Sequence, residues 1–476
     1  MAAWDKVKEH VEQQWDSTIV TTLSDYIRIP NQSPDFDPEW ASNGLMMKAF
    51  KVLMAWLEKQ PLKDAKWELV DEEKRTPFLI VEVQPSPGDT TGKTALMYGH
   101  MDKQPPLLPW AEGLHPYEPV LRDGKLYGRG GADDGYALCA AVTAVIGLQQ
   151  QGIPHGRIVI VIEACEESSS LDLPYYIEKF KSTIGTVDLV VCLDSGAANY
   201  DQLWVTTSLR GVIGGILTVE ALHEGMHSGI SGGVVPDSFN IIRTLVDRVE
   251  DSSTGFIKLQ ELHCEVPQQT REELSALEAI DFRSSFAALE GVALQGGDAA
   301  SNTELAIRNF WKPCLTVTGA DLPAPETAGN VVRKSASVKL SVRLPPIIPA
   351  VKATALLKET LESSPPFGAK VSFAAEEPGD GWAAPTLQPW LRKAVTEASE
   401  HYFKKPYGGV GIGGSIPFMG MLGEMFPEAQ FVVTGVLGPN SNAHGPNEFL
   451  HIAFAKGVNY CVARVLAAHY ENHVAQ

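Results

Sequence analysis

Cysteine is scarce: the chain has six in 476 residues. None of Cys139, Cys165, Cys192, Cys264, Cys314 and Cys461 forms a C-x-x-C pair. This spacing argues against a disulfide framework or a cysteine-based zinc module and is that of reduced, buried thiols in a cytoplasmic protein. Positive charge is also short. Lys and Arg number 39 against 58 Asp and Glu, for a formal charge of -19. Nucleic acid and anionic membranes recruit clustered Lys and Arg, so neither is an expected partner. No run reaches the ~18 apolar residues of a membrane span. The opening MAAWDKVKEHVEQQWDS is charged and amphipathic and lacks the apolar core of a signal peptide. Internal repeats and low-complexity tracts are missing too. The location these features predict is the cytoplasm.

What is present suffices for a large globular protein. Hydrophobic residues make up 44% and charged residues 20%, and the length suits two or three domains. Helical patterning opens the chain at about 4–28 and 43–59. The apolar runs FLIVEVQ, TALMYGH, RIVIVIEA and DLVVCLD then alternate with a helical stretch near 135–150. That alternation predicts an α/β layer with a mostly parallel sheet. Near Ser208 the texture changes. GVIGGILTVEAL and ASVKLSVRLPP alternate apolar and polar residues, as half-exposed antiparallel strands do, with the helix SFNIIRTLVDRVED between them. The α/β texture returns after Trp382, with a helix at 388–401, the strand AQFVVTGV and a last helix from Phe449. Residues 1–207 and 382–476 are thus expected to form one α/β domain, interrupted by an inserted α+β domain at 208–381, with AAEEPGDGWAAP as the return hinge.

In an open α/β sheet, ligands bind beyond the carboxyl ends of the strands. His100, Met101 and Asp102 follow TALMYG, Glu166 and Glu167 follow RIVIVIEAC, Asp194 follows DLVVCL, and His444 follows AQFVVTGVLGPNSNA. Asp133 and Asp134 stand in LYGRGGADDGYA, just before a helix. Taken singly, each is an ordinary turn residue, helix cap or satisfied histidine. Together they bring ligand-type side chains to one edge. Two histidines and several carboxylates suit a borderline cation such as Zn²⁺ or Mn²⁺. They over-supply one ion and fit two bridged by a carboxylate. With Asp133 as the bridge, His100 and Asp194 complete one site and Glu167 and His444 the other. Glu166 is then left beside a bridging hydroxide as general base.

The motifs GHMD, LYGRGGADDG, EACEESSS, CLDSG, MHSGISGG, NVVRKSASVKLSVRLPP, GIGGSIPF and AHGPNE resemble, in this order, those of the carnosinase-like di-metal peptidases, relatives of aminoacylases, glutamate carboxypeptidases and succinyl-diaminopimelate desuccinylase. RNFWKPCLTVTG and the long insertion are most similar to the cytosolic non-specific dipeptidase branch. The resemblance implies two divalent ions, Zn²⁺ first and Mn²⁺ or Co²⁺ next. It implies the same ligand division, with Glu166 as base and Asp102 orienting His100. It implies a cis peptide after Asp133. It also implies a lid that makes a homodimer, through which His227 enters the partner's active site. Arg343, Asn330, Gly414 and Ser415 would bind the terminal carboxylate and backbone of a small peptide. The chain departs from the family pattern at three places: no lysine follows Asp134, no acidic residue precedes GGSIP, and no histidine lies near Gly381.

The expected activity is therefore dipeptide or small-peptide hydrolysis. An N-acyl amino acid deacylase would use the same metal chemistry. A non-catalytic binding protein on this scaffold would be expected to have lost a ligand or the base, and all are present. A nucleotide-binding loop at GRGGADDG lacks the G-x-G-x-x-G and P-loop spacings.

Overall fold

The computed structural model describes residues 2–283, 286, 291–295, 297, 299–413 and 417–474. The chain divides into two compact units. Residues 1–207, 384–410 and 421–476 make one, and residues 208–383 and 411–420 the other. The stretch 411–420, expected with the α/β part, belongs instead with the inserted unit. Its start is held there by Arg210, whose Nε donates to Gly413 O at 2.9 Å. Gly411 sits so close to Phe310 that a Cβ would lie 2.6 Å from that side chain.

The first unit is built on a six-stranded sheet. Its order is Ala65–Val70, Phe78–Val83, Arg157–Glu163, Lys93–His100, Thr186–Cys192, Gln430–Val433. The first two strands are antiparallel additions at one edge, and the other four are parallel. The central strands are buried almost end to end, because helices cover both faces of such a sheet and leave no side for alternating polar residues. One of those helices, Ala137–Gln150, is buried all round through Leu148. Among the described residues, Gly131–Gln150 is the one stretch long and apolar enough to span a membrane, contrary to expectation, and it is wholly buried in the unit. A core helix packed on every side needs the same composition. A single buried amide ties it to its neighbours: Asn459, on the helix Ile452–Val474, donates to Ala140 O at 2.7 Å and accepts from Trp15 Nε1 at 3.0 Å.

Two boundaries differ from the periodicity. The opening helix is Ala2–Gln14 and Val20–Ile27 joined by a π-turn, Trp15–Ile19, which turns Trp15 and Ile19 into the core. Phe449–His451 is a short strand paired with Lys125–Tyr127, and the last helix begins only after it.

The second unit carries a four-stranded antiparallel sheet, ordered Cys314–Asp321, Ser335–Leu344, Gly211–Glu220, Lys370–Ala375. In Ser335–Leu344 every second side chain, from Ala336 to Leu344, is buried. These pack with Leu217, Val219 and Phe373 against the apolar stripes of the helices Ser238–Val249 and Ala350–Glu362. Asp237 caps the first of these helices, accepting from Asn240 N at 2.9 Å. Leu340 is fully buried at the centre of this layer. Leu340→Ala should cost about 2–5 kcal/mol by lost burial and cavity formation, read as a lower denaturant midpoint with an unchanged slope.

Candidate metal centre

The carboxyl ends of three adjacent parallel strands open on one place in the first unit. His100 is the last residue of Lys93–His100. Glu166 and Glu167 form a 3₁₀ turn just beyond Arg157–Glu163, and Asp194 follows Thr186–Cys192. Two loops supply the remaining groups. Gly131–Gly135 brings Asp133, and the peptide between Asp133 and Asp134 is cis. The loop after Gln430–Val433 brings His444. Asn440, Asn442, His444 and Asn447 all have positive φ there, and Asn and His are among the residues that best tolerate this conformation.

Asp133 lies in the middle. Its Oδ1 is 3.2 Å from His100 Nε2 and its Oδ2 is 3.0 Å from His444 Nε2. Each oxygen therefore faces a different histidine, the arrangement a bridging carboxylate needs. Asp194 Oδ2 stands 3.9 Å from His100 Nε2, and Glu167 Oε2 is 3.3 Å from His444 Nε2. Two groupings with converging ligand atoms result: His100, Asp133 and Asp194, and Asp133, Glu167 and His444. A third, His100 with Glu166 and Glu167, overlaps both.

The electrostatics call for cations. Burial, then the charge of Asp194, pushes the Glu166 carboxyl well above its usual range, and burial with Asp133 does the same to Glu167. Burial raises Asp194 to about 6. Burial would also lower His100, but the carboxylates of Asp102 and Asp133 beside its ring raise it instead. Glu167 Oε1 is buried with no hydrogen-bond partner, as a ligand oxygen would be. The donor set thus fits a dinuclear divalent centre.

Asp102 links the two halves. Its Oδ1 lies 3.3 Å from His100 Nδ1, oblique to a full hydrogen bond, and its two oxygens accept from the backbone N–H groups of Glu166 and Glu167 at 3.2 and 3.0 Å. One fully buried carboxylate thus lies against the His100 ring and holds the turn that carries both glutamates. Close packing fixes the rest. A Cβ on Gly99 would sit 2.7 Å from Asp134 Oδ2, which accepts from His100 N.

Glu448 was not singled out from the sequence, although it ends the AHGPNE motif. It is fully buried, pairs with Arg129 at 2.6 Å, and accepts from the backbone N–H groups of Gly130, Ala132 and Asp133. It shapes the loop that presents Asp133. Gln104, also missed, donates to Glu167 Oε2 at 2.5 Å. No lysine follows Asp134, and among the described residues Lys103 is the buried lysine. Its Nζ donates to the carbonyls of Tyr26 and Ile29 at 3.0 and 2.7 Å, and its stem packs so tightly on Gly130 that a Cβ there would lie 2.6 Å away.

The profile of Peptidase family M20/M25/M40 matches residues 96–468, a span that contains every one of these ligands. The chain belongs to that family. With its dinuclear site it is a metallopeptidase, a hydrolase of peptide substrates. It is 27% identical over 434 residues to the cysteinylglycine-S-conjugate dipeptidase of Corynebacterium striatum, covering 90% of this chain and 92% of the relative. It is 25% identical over 473 residues to the Cys-Gly metallodipeptidase dug1 of Schizosaccharomyces pombe, covering 95% and 96%. The solved structure of the dipeptidase Dug1p from Saccharomyces cerevisiae superposes with a TM-score of 0.74 at 20% identity, over 99% of both chains.

The other residues expected at the site lie in the second unit of this metallopeptidase or outside the described residues. His227 and Asn330 are exposed neighbours. His227 pairs with Val331 in a two-stranded ladder, and Asn330 O accepts from Ser228 N at 2.9 Å. Arg343 is half-buried, between Cys314 and Val212 in the sheet. Gly414 and Ser415 lie outside the described residues. Arg210, which the sequence reading passed over, is buried and donates to Gly413 O and, at 3.2 Å, to Cys314 Sγ.

Cation binding must displace the proton from Asp194, whose carboxyl lies near 6 in the metal-free chain. Metal affinity should therefore fall as pH drops through that value and should still be rising above it, because the Glu167 carboxyl and the His100 imidazole are also held above their usual ranges, with proton release on loading. Calorimetric titration with Zn²⁺ in buffers of different ionisation enthalpy measures both.

Proposed function

We propose that this metallopeptidase hydrolyses dipeptides and other small peptides, with Glu166 as general base. The observation that carries this reading is the position of Glu166. It faces the cluster from the same turn as Glu167, yet belongs to neither of the two groupings that share Asp133. When bound, the two cations acidify water and polarise the amide carbonyl. Glu166 accepts the proton from the attacking water at a carboxylate oxygen and returns it to the departing nitrogen. Zn²⁺ is the cation we infer, from the mixture of imidazole and carboxylate donors. The dipeptidase names of the two sequence relatives support the substrate class.

Arg343 and Asn330 are assigned to the substrate's terminal carboxylate and backbone. His227 is assigned to the site of a second chain in a homodimer. Its Nδ1 accepts from Gly229 N at 3.0 Å, which leaves Nε2 to carry the ring proton as a donor. An exposed donor of this kind can stabilise an oxyanion on a carbonyl presented to it. All six cysteines are free thiols, which supports a cytoplasmic setting.

A deacylase of N-acyl amino acids is favoured by one observation. The strand Gly408–Ile412, which precedes GGSIP, brings no carboxylate for a substrate's free amine. Hydrolysis of a dipeptide panel against N-acetyl and N-succinyl amino acids decides between the two. Dipeptides turned over faster support the peptidase reading, and N-acyl substrates turned over faster replace it.

Two variants test the roles. Glu166→Gln should keep both metals and lose about 10²–10⁴-fold in turnover, whereas Glu167→Gln should lose metal. Equal metal content in the two variants would refute this division of labour. Mixing His227→Ala chains with Glu166→Gln chains, each nearly inactive alone, should restore activity in about a quarter of sites if dimers exchange at random. No recovery with heterodimers present would place His227 in its own chain's site or in none.

A further inference from the structure

A second cluster of metal-ligating side chains lies at the other end of the strand that leads to Asp194. Asp188 is near the start of Thr186–Cys192, about 20 Å of extended chain before Asp194 at ~3.3 Å per residue. His469 and His473 are one turn apart on the helix Ile452–Val474. Both aim Nε2 at the same carboxylate, His469 to Oδ1 at 2.8 Å and His473 to Oδ2 at 2.5 Å. The imidazoles meet edge to face, their centroids 4.4 Å apart, and their side chains are 1% and 2% exposed. We propose that Asp188, His469 and His473 form a third metal site, taking a single Zn²⁺-class cation that pins the C-terminal helix to the sheet.

Hydrogen bonding alone accounts poorly for this arrangement. If both rings donate Nε2–H to Asp188, both Nδ1 lone pairs remain buried, and neither has a partner. A buried lone pair without a donor carries an uncompensated desolvation cost. A cation on the two Nε2 atoms moves the ring protons to Nδ1, where they become donors. Asp89 is a nearby carboxylate for His469: His469 Nδ1 and Asp89 Oδ2 lie 3.2 and 3.3 Å from the point a Cβ on Gly156 would occupy. His473 Nδ1 has no comparable neighbour within hydrogen-bond range. The ligand atoms already converge. Bonds of about 2.0–2.2 Å in a tetrahedral shell require them to move apart by less than ~1 Å.

Burial and the neighbouring imidazole keep His473 below the usual histidine range, which leaves it neutral, as a ligand must be. Lys93 is the cation that faces the group. Its Nζ lies 3.6 Å from Asp188 Oδ2 on a side chain 40% exposed, and it can turn to solvent as a metal enters. Asp188 and Asp89 against Lys93 leave a net negative environment. Two imidazoles and one carboxylate match Zn²⁺ in softness and leave one position for water.

The test is zinc content per chain by elemental analysis, after equilibration with Zn²⁺ and desalting. Asp188→Asn and His473→Gln should each hold one equivalent fewer than the unsubstituted protein, while dipeptide hydrolysis stays within about twofold of the unsubstituted rate. Either variant alone decides the matter if the other fails to fold. A melting scan on unsubstituted protein, with two equivalents of Zn²⁺ already bound, should show a further rise in midpoint on adding a third, and this rise should vanish in the variants. Equal zinc in variant and parent, or no response to the third equivalent, would overturn the proposal and leave a hydrogen-bonded His–Asp–His cluster.

Discussion

Mutual repulsion among buried carboxylates is the constraint on which this molecule turns. Asp133, Asp194, Glu166 and Glu167 converge around His100 at the end of a parallel sheet. Bringing such groups out of water without counter-charge costs several kcal/mol for each ionised member. A fold can hold them only if cations occupy the centre or protons take their place. Burial raises the carboxyls of Glu166, Glu167 and Asp194 and so favours the second wherever cations are not bound. Function requires the first. What surrounds the cluster serves to hold it open in a geometry that cations complete.

Two further buried carboxylates do that holding. Asp102 spans His100 and the two glutamate N–H groups, which couples the end of one strand to the turn after its neighbour. Glu448 is paired with Arg129 and gathers three backbone donors, which fixes the loop presenting Asp133. Neither contributes to the two groupings that share Asp133. Each is matched by fixed dipoles or an opposite charge, the condition under which a buried charge is tolerated. The close contacts at Gly99 and Gly130 remove side-chain volume where these loops cross.

Much of this was legible in the sequence, for physical reasons. Parallel strands buried on both faces read as unbroken apolar runs, so TALMYGH, RIVIVIEA and DLVVCLD announced themselves, and the polar residues just past them marked the site. Alternation in ASVKLSVRLPP marked a half-exposed antiparallel strand in the same way. Glu448 left no such signal. A buried carboxylate that serves backbone donors looks like any loop glutamate until its partners are in place. The grouping of 411–420 with the second unit depends on long-range contacts of Arg210 and Phe310 that no local pattern encodes. The π-turn at Trp15 keeps a helical composition while shifting its phase, and the strand Phe449–His451 is set by its partner Lys125–Tyr127 rather than by its own residues.

The central claim is that Asp133 joins two cations into one centre. Electron paramagnetic resonance of the protein loaded with two equivalents of Mn²⁺ tests it most directly, since ions sharing a carboxylate lie about 3.5–4 Å apart. The account predicts the spectrum of an exchange-coupled pair, collapsing to that of isolated ions in Asp133→Asn. Two uncoupled Mn²⁺ signals from the unsubstituted protein would contradict it.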